Sequence, residues 1–189
     1  VSCGRAFRRG RETRAEQRYR PMPEELFDVV DEQDRVLRQA PRSVVHANKW
    51  LHRAAHIFVF NSRGELLVHR RSATKDECPN VCTSSASGHL AAGEDYATAA
   101  VRELEEELGL TSPVEFLGII PANGAETSFE HSGLFRTTTD QPPIFDPGEI
   151  ASGEFLPLDE VAARLERDPR DFTPCFRTLF RWYRERYRL

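Results

Sequence analysis

The chain has 189 residues, a formal net charge of −4, and a composition of 39% hydrophobic and 30% charged residues. This balance is typical of a soluble globular protein, and the length predicts one domain with a sizeable core. No apolar run approaches the length of a membrane span and no signal-peptide core is recognised, so the sequence excludes an integral membrane protein and favours a cytoplasmic one.

The amino-terminal segment is strongly basic. Residues 1–20 contain seven Arg against two Glu. Such segments occur in nucleic-acid-binding tails and in transit peptides, and an extension without either role explains the composition as well. We predict a basic extension over residues 1–22 and one folded domain over residues 23–189.

The elements that follow are predicted from hydrophobic periodicity and turn residues. Residues 26–30 and 35–38 are two short strands, and residues 56–61 and 65–70 form a hairpin closed at 62–64. Residues 72–80 form a loop, and residues 81–87 form a strand. After a helix at 95–108, strands are predicted at 114–120, 128–138 and 154–156, and helices at 158–167 and 174–187.

Cysteines and isolated histidines carry little signal on their own. The scattered cysteines are too few for a disulfide framework, and no second pair follows Cys78 and Cys82 at zinc-ligand spacing. We predict reduced thiols and ordinary polar histidines at the positions that follow: Cys3, Cys78, Cys82, Cys175, His56, His69 and His131.

The helix at 95–108 is predicted to be amphipathic. Asp95 can cap its start, and Gly109 follows its last apolar residue, as is typical of a helix end. The apolar stripe predicted for it consists of Ala97, Val101, Leu104 and Leu108.

Beside that stripe the helix carries a cluster of acidic residues. At about 100° per residue, Glu103, Glu106 and Glu107 fall within an arc of about 100°, whereas Glu105 points away and is predicted to be a solvated surface charge. Like charges at this spacing destabilise a helix by a few tenths of a kcal/mol, that is, roughly 0.2–0.5 for each pair. Mg²⁺ resolves the conflict because it takes carboxylate oxygens, waters and phosphate oxygens as ligands, and Mn²⁺ is an alternative ion.

Residues 88–110 together match a known signature. Their pattern is G-x5-E-x7-R-E-U-x-E-E-x-G-U, where U is an apolar residue. In this pattern the chain resembles the Nudix hydrolases. The resemblance implies an α/β/α sandwich with a mixed central sheet, belonging to the α/β class.

Outside that pattern the chain resembles a subgroup of the same family, from about residue 24 onward. The run HRAAHIFVFNSRGELLVHRRSATKDECPNVCT, followed by SGHLAAGE, is similar to Nudix proteins related to isopentenyl-diphosphate isomerase. In the isomerases a cysteine directly precedes the Gly-His pair and acts on carbon, whereas this chain has Ser87 there. A hydroxyl with a pKa above about 10 cannot replace a thiol in that chemistry near neutral pH. The isomerases also have a Glu-x-Glu motif. Its second glutamate is present here as Glu130, whereas Ser128 replaces the first.

The same resemblance implies a second metal site. Three histidines, His46, His52 and His89, fall near positions where the isomerases bind metal, with His46 shifted by about one residue. With Glu130 they form either a surviving metal site or ordinary polar positions, and the sequence leaves both interpretations open.

We predict Mg²⁺-dependent hydrolysis of a diphosphate linkage in a nucleoside diphosphate or a related X-diphosphate. The partner is then a small diphosphate compound, and neither a membrane nor a nucleic acid is expected. An isopentenyl-diphosphate isomerase and a nucleotide- or RNA-binding module are the alternatives. The residues predicted to act are the metal ligands Glu103, Glu107, Glu106 and Gly88, the base candidates Glu130 and Glu106, the orienting Arg102, and the phosphate-binding candidates Arg70, Arg71 and Lys75.

Overall fold

The structure, a computed structural model, describes residues 24–189, and its centre is a seven-stranded mixed sheet. Five strands follow the order β5-β4-β3-β8-β7, while β6 pairs with β3 and β9 pairs with β4. The strands β3 and β8 are parallel, and a separate antiparallel pair is formed by β1 and β2. The strands are β1 Leu26–Val30, β2 Val36–Pro41, β3 His52–Phe60, β4 Leu66–Arg71, β5 Cys82–Thr83, β6 Ala86–His89, β7 Glu115–Ile120, β8 Glu130–Thr138 and β9 Ile150–Leu156. The helices are α1 Arg42–Asn48, α2 Tyr96–Leu108, α3 Leu158–Arg167 and α4 Pro174–Tyr187.

The alternation of side chains along β3 places helices on both faces of the sheet. Ile57 and Val59 point to one face, where they pack with Leu104 and Leu108 of α2. Phe58 points to the other face, where it packs in a cluster with Val161 of α3 and with residues of α4. The result is the α/β/α sandwich that the sequence predicted. Among residues 24–189, no helix combines the length and the apolar character needed to cross a bilayer.

The predicted elements are largely confirmed. The differences arise mainly where hydrogen bonding to a neighbouring strand determines where a strand begins or ends. The strand β3 begins at His52 rather than at residue 56, because residues 52–55 pair with β8 and residues 54–55 also pair with β6. The strand β9 begins at Ile150 rather than at 154, since its backbone pairs with β4 although Ala151 and Ser152 are exposed. The predicted strand at 81–87 is divided into β5 and β6. The strand β8 starts at Glu130 because Ser128 and Phe129 have left-handed backbone conformations, with φ of 53° and 63°.

The sequence did not predict α1. This seven-residue helix buries only Val45, so it has too little apolar periodicity to be recognised. The predicted extension at residues 1–22 lies outside the described residues.

The histidine of β4, His69, is buried and neutral rather than solvated. It is 2% exposed, and its Nδ1 donates to the carbonyl of Ser85 at 3.0 Å. Burial lowers the pKa of His69 from 6.5 to about 4. His69 therefore binds a proton below about pH 6.5 in the unfolded chain, but only below about pH 4 in the folded protein.

This difference makes His69 a source of acid instability. As pH falls from 6.5 to 4.5, the His69 pKa difference should lower the free energy of unfolding by about 2 kcal/mol. A His69→Asn variant should be less stable at pH 7 but should show a shallower loss over the same interval. Urea unfolding at a series of pH values measures both slopes, and equal slopes would contradict a neutral His69.

Candidate functional site

The loop before α2 lies directly against the acidic flank of that helix. Asp95 caps the helix by accepting the backbone N–H of Thr98 at 2.9 Å, and Gly109 ends it with a φ of 62°. A Cβ placed on Gly88 would lie 2.0 Å from Oε1 of Glu103. The absence of a side chain at Gly88 is therefore what allows the Glu103 carboxylate to lie beside the loop.

The apolar stripe predicted for α2 is wrong in its first half. Ala97 and Val101 are exposed, whereas Leu104 and Leu108 are buried. The buried face of the helix is rotated toward the two glutamates, and its members are Ala99, Ala100, Glu103, Leu104, Glu107 and Leu108. Carboxylates occupy part of a surface that helix stability alone would assign to apolar side chains.

Two of the three clustered glutamates, Glu103 and Glu107, are buried. Glu107 is 4% exposed, and one of its oxygens accepts the backbone N–H of Ser87 at 3.0 Å. Burial and the neighbouring Glu103 raise the pKa of Glu107 to about 8. Burial also raises the pKa of Glu103, and Arg102 opposes that shift. Glu106, by contrast, is exposed, as is Glu105.

Arg102 holds the acidic cluster in place. Its guanidinium donates to Glu94 through Nε and Nη2, both at 2.9 Å. Its Nη1 lies 2.6 Å from Glu103 and 3.1 Å from Glu106. A planar group with five donors can make these contacts at once, which a lysine cannot do. The predicted orienting contacts of Arg102 are thus present in the structure.

These residues line a cavity of about 760 Å³. Among the described residues, nine acidic side chains and four from Lys or Arg line it. The acidic residues are Glu25, Asp76, Glu77, Glu103, Glu106, Glu107, Glu130, Asp146 and Glu149, and the basic residues are Arg42, Arg71, Lys75 and Arg102. An acidic cavity of this kind is suited to cations, and it attracts a phosphate only when cations are bound.

The three predicted phosphate-binding residues differ in position. Arg70 lies outside the cavity lining, because its guanidinium forms a bidentate pair with Asp171 at 2.7 and 2.8 Å. Lys75 lines the cavity and pairs with Glu149. Arg71 also lines it, and within residues 24–189 it binds only the backbone carbonyls of Glu77 and Cys78. Among the described residues, the charge of Arg71 therefore has no carboxylate partner.

Glu130 lies at the start of β8, across the cavity from α2, and is enclosed by histidines. Its Oε1 is 3.1 Å from Nε2 of His89 and 3.7 Å from Nε2 of His52. Its Oε2 is 3.7 Å from Nε2 of His56. Burial opposes ionisation of Glu130, but the three histidines outweigh it and hold the pKa of Glu130 well below its usual range.

The three histidines for which the sequence left a metal site open, His46, His52 and His89, come together in the structure. The ring centroids of His46, His52 and His89 lie 5.0 to 5.2 Å apart, and each ring offers a nitrogen within 4.8 Å of the others. Nδ1 of His52 donates to the carbonyl of Trp50 at 2.9 Å. Its Nε2 is buried and lacks a hydrogen-bond partner among the described residues. A buried lone pair without a donor is what a metal ligand would present.

Comparison with known proteins agrees with this geometry. A model of the NUDIX domain matches residues 50–176. The chain belongs to the Nudix hydrolase family. An isopentenyl-diphosphate delta-isomerase from Photorhabdus laumondii subsp. laumondii is 31% identical over 162 residues, which cover 82% of this chain and 90% of that protein. An uncharacterized Nudix hydrolase of Pseudomonas aeruginosa is 46% identical over 137 residues, covering 70% of this chain and 78% of that protein.

Solved structures give the same fold. The crystal structure of a protein from Deinococcus radiodurans is similar to this Nudix chain with a TM-score of 0.67 and 29% identity. The likeness covers 76% of this chain and 90% of that one. The isomerase and hydrolase relatives together confirm the predicted family resemblance, and they leave the reaction to be inferred from the site.

Two residues of the cavity were missed in the sequence. His56, predicted to be an ordinary polar histidine, is buried beside Glu130. Cys175, predicted only as a reduced thiol, lies in the first turn of α4 with its Sγ 3.4 Å from Nε2 of His56. Although burial alone would lower it, contact with Cys175 and Glu130 raises the pKa of His56 to about 10. The two residues are 119 positions apart, so no motif spacing could have joined them.

Proposed function

We propose that this Nudix protein hydrolyses a diphosphate linkage, in a nucleoside diphosphate or a related X-diphosphate, with the help of Mg²⁺. The observation that carries the proposal is the burial of Glu103 and Glu107 beneath an acidic cavity. Burying two carboxylates this close together costs free energy unless a cation compensates them. Such a cation would also let the negatively charged cavity accept a diphosphate.

The residues present fit a hard divalent cation. Glu103 and Glu107 would be its principal ligands, Glu106 and the Gly88 carbonyl would complete the cluster, and water and phosphate oxygens would fill the remaining positions. Mn²⁺ accepts the same oxygen ligands. When bound, such an ion neutralises phosphate charge and lowers the pKa of a water ligand.

The other side chains of the cavity would position the substrate and the attacking water. Arg71 is the best placed to bind a phosphate because it has no carboxylate partner among residues 24–189, and Lys75 would assist once released from Glu149. Glu106, which is exposed beside the buried pair, can accept a proton from a water in the cavity. Glu130 is enclosed by three histidines, so it suits a ligand better than a base.

The three-histidine group would provide a second metal site in the same protein. His46, His52 and His89 would bind the ion through ring nitrogens, with Oε1 of Glu130 beside them. The unpartnered Nε2 of His52 supports this proposal, because the contact of its Nδ1 with Trp50 already fixes the tautomer that leaves Nε2 free.

An isomerase remains the alternative because some of the relatives bear that name. The residue at position 87, Ser87, lines the cavity and argues against it. Its hydroxyl cannot exchange protons with carbon near neutral pH, and no residue of β6 carries a thiol. The thiols of Cys78 and Cys175, which also line the cavity, come from other segments.

A substrate panel tests the proposed reaction. The full chain is incubated with nucleoside diphosphates, nucleoside triphosphates, nucleotide sugars and isopentenyl diphosphate, with Mg²⁺ or with Mn²⁺. We expect phosphate or a nucleoside monophosphate to be released from a diphosphate compound, and a chelator should stop the release. Isomerisation of isopentenyl diphosphate without hydrolysis of any compound would overturn the proposal. A Ser87→Cys variant, assayed in parallel, reports whether the scaffold supports carbon chemistry once a thiol is supplied.

A further inference from the structure

A third group of ligand-type side chains faces the same cavity from the side opposite α2. His56 projects from β3, Glu130 from the start of β8, and Cys175 from the first turn of α4. All three are buried, and each offers one ligand atom within 4.8 Å of the other two. The proposed hydrolysis assigns no role to His56 or Cys175.

The hydrogen bonds of His56 hold its Nε2 toward the other two side chains of the group. Its Nδ1 lies 3.1 Å from Oγ of Ser84, which can accept the Nδ1 proton. Nε2 then faces Cys175 and Glu130, at 3.4 and 3.7 Å, and can bind an ion that displaces its proton. Metal-binding histidines are oriented in this way, with one nitrogen on the ion and the other on a fixed acceptor.

Cys175 lies at the amino-terminal end of α4. Thr173 caps α4 by accepting the backbone N–H of Phe176, and Pro174 occupies the first turn, so Cys175 lies at the positive end of a 14-residue helix. The Oγ of Ser132, at 3.5 Å, can donate to the sulfur.

We propose that His56 Nε2, Glu130 Oε2 and Cys175 Sγ form a binding site for a zinc-class divalent ion. A tetrahedral zinc ion with bonds of about 2.0 to 2.3 Å separates its nitrogen, oxygen and sulfur ligands by roughly 3.3 to 3.6 Å. The observed separations from Nε2 are 3.4 Å to sulfur and 3.7 Å to oxygen. Only small side-chain movements are therefore needed to bind the ion.

The chemistry of this site differs from that of the acidic flank of α2. A thiolate and an imidazole select zinc-class ions, whereas Mg²⁺ prefers the oxygens of Glu103 and Glu107. Three protein ligands leave a fourth position open, and all three line the cavity. An open position is typical of zinc ions that bind water or substrate rather than of purely structural ones.

Cobalt spectroscopy tests the proposal directly. The full chain, stripped of metal with a chelator, is titrated with Co²⁺, which occupies zinc sites and gives a near-ultraviolet charge-transfer band only when a thiolate is bound. We expect this band in the parent protein and its disappearance when Zn²⁺ displaces Co²⁺. A Cys175→Ser variant should lose the band and bind Zn²⁺ at least about 100-fold more weakly.

Two other thiols provide matched controls. Cys78 lines the same cavity, and Cys82 contacts Asp171 through its Sγ at 3.7 Å. Cys78→Ser and Cys82→Ser should both retain the cobalt band. Loss of the band in either control with retention in Cys175→Ser would overturn the proposal. A His56→Gln variant, which keeps the thiol of α4, should weaken the band in the same way as Cys175→Ser.

Further variants separate this site from the other two metal sites. Glu107→Gln should keep the band while losing Mg²⁺-dependent hydrolysis, so failure of the proposed reaction leaves the zinc-class site testable. His46→Gln should also keep the band, because the three-histidine group contains no thiolate. Absence of a thiolate band in the parent protein would overturn the assignment, whatever the variants do.

Discussion

Glu107→Gln should lower metal-dependent turnover by about 10³-fold or more, which corresponds to about 4 kcal/mol of transition-state free energy. The substitution keeps the size of the side chain and leaves an oxygen to accept the Ser87 N–H. What it removes is the charge that binds the cation. Turnover at saturating Mg²⁺ measures the effect, and Glu105→Gln, an exposed glutamate of the same helix, is the control that should keep full activity. Activity within about tenfold of the parent would remove Glu107 from the mechanism.

The same variant should change stability in opposite directions with and without metal. In the parent protein, Mg²⁺ at 100 times its dissociation constant should stabilise the fold by about 2.7 kcal/mol, and the variant should lose this gain. Without metal, Glu107 carries a raised pKa of about 8, so the folded state keeps a proton that the unfolded chain releases above pH 4.5.

The sign of the metal-free effect follows from that difference. Since the folded state binds more protons between pH 4.5 and 8, the Glu107 contribution to stability falls as pH rises through this range. At pH 8 in chelator the glutamine variant should therefore be more stable than the parent, by at most about 4 kcal/mol. Thermal unfolding in chelator and in Mg²⁺ measures both effects. A variant less stable than the parent in chelator would show that burial of Glu107 causes no electrostatic strain.

The acidic half of the site was predictable because its residues are local. Glu103, Glu106 and Glu107 occupy one helix, and helical geometry alone brings them together. Arg102 and Gly88 lie within 20 residues of them, inside one contiguous pattern. In this half of the site only the apolar stripe was predicted wrongly. Val101 was predicted to be buried, but it is exposed, and Glu103 and Glu107 lie on the buried face of the helix instead.

The other half of the site depends on contacts between distant segments. Glu130, His56 and Cys175 come from two parallel strands and a carboxy-terminal helix. They are brought together by the pairing of β3 with β8 and by the packing of α4 against these strands. Pairwise spacing along the chain carries no information about such a group. The same limit explains why the partner of Arg70 was not predicted. Its guanidinium binds Asp171, which lies 101 residues away in the chain.

Gly88→Ala should impair the site through one identifiable contact. The added methyl would lie 2.0 Å from Oε1 and 2.2 Å from the carboxyl carbon of Glu103. Gly88 does not have a left-handed backbone conformation, so alanine is compatible with the chain itself. Glu103 cannot move freely, because it is buried and Arg102 binds it at 2.6 Å. We expect turnover to fall by about 10²-fold and the fold to lose about 1–3 kcal/mol from overpacking.

A double-mutant cycle isolates that contact from any general effect of the methyl group. In a Glu103→Ala background the space beside position 88 is free, so adding Gly88→Ala should cost little further stability. The free energy of unfolding in chelator, measured for the parent, both single variants and the double variant, gives the coupling. If the methyl group lowers the free energy of unfolding equally in both backgrounds, Gly88 is required for the conformation of the loop and not to make room for the Glu103 side chain. A coupling close to the full cost of Gly88→Ala, by contrast, would identify the missing side chain as the feature that lets the metal-binding carboxylate reach its position.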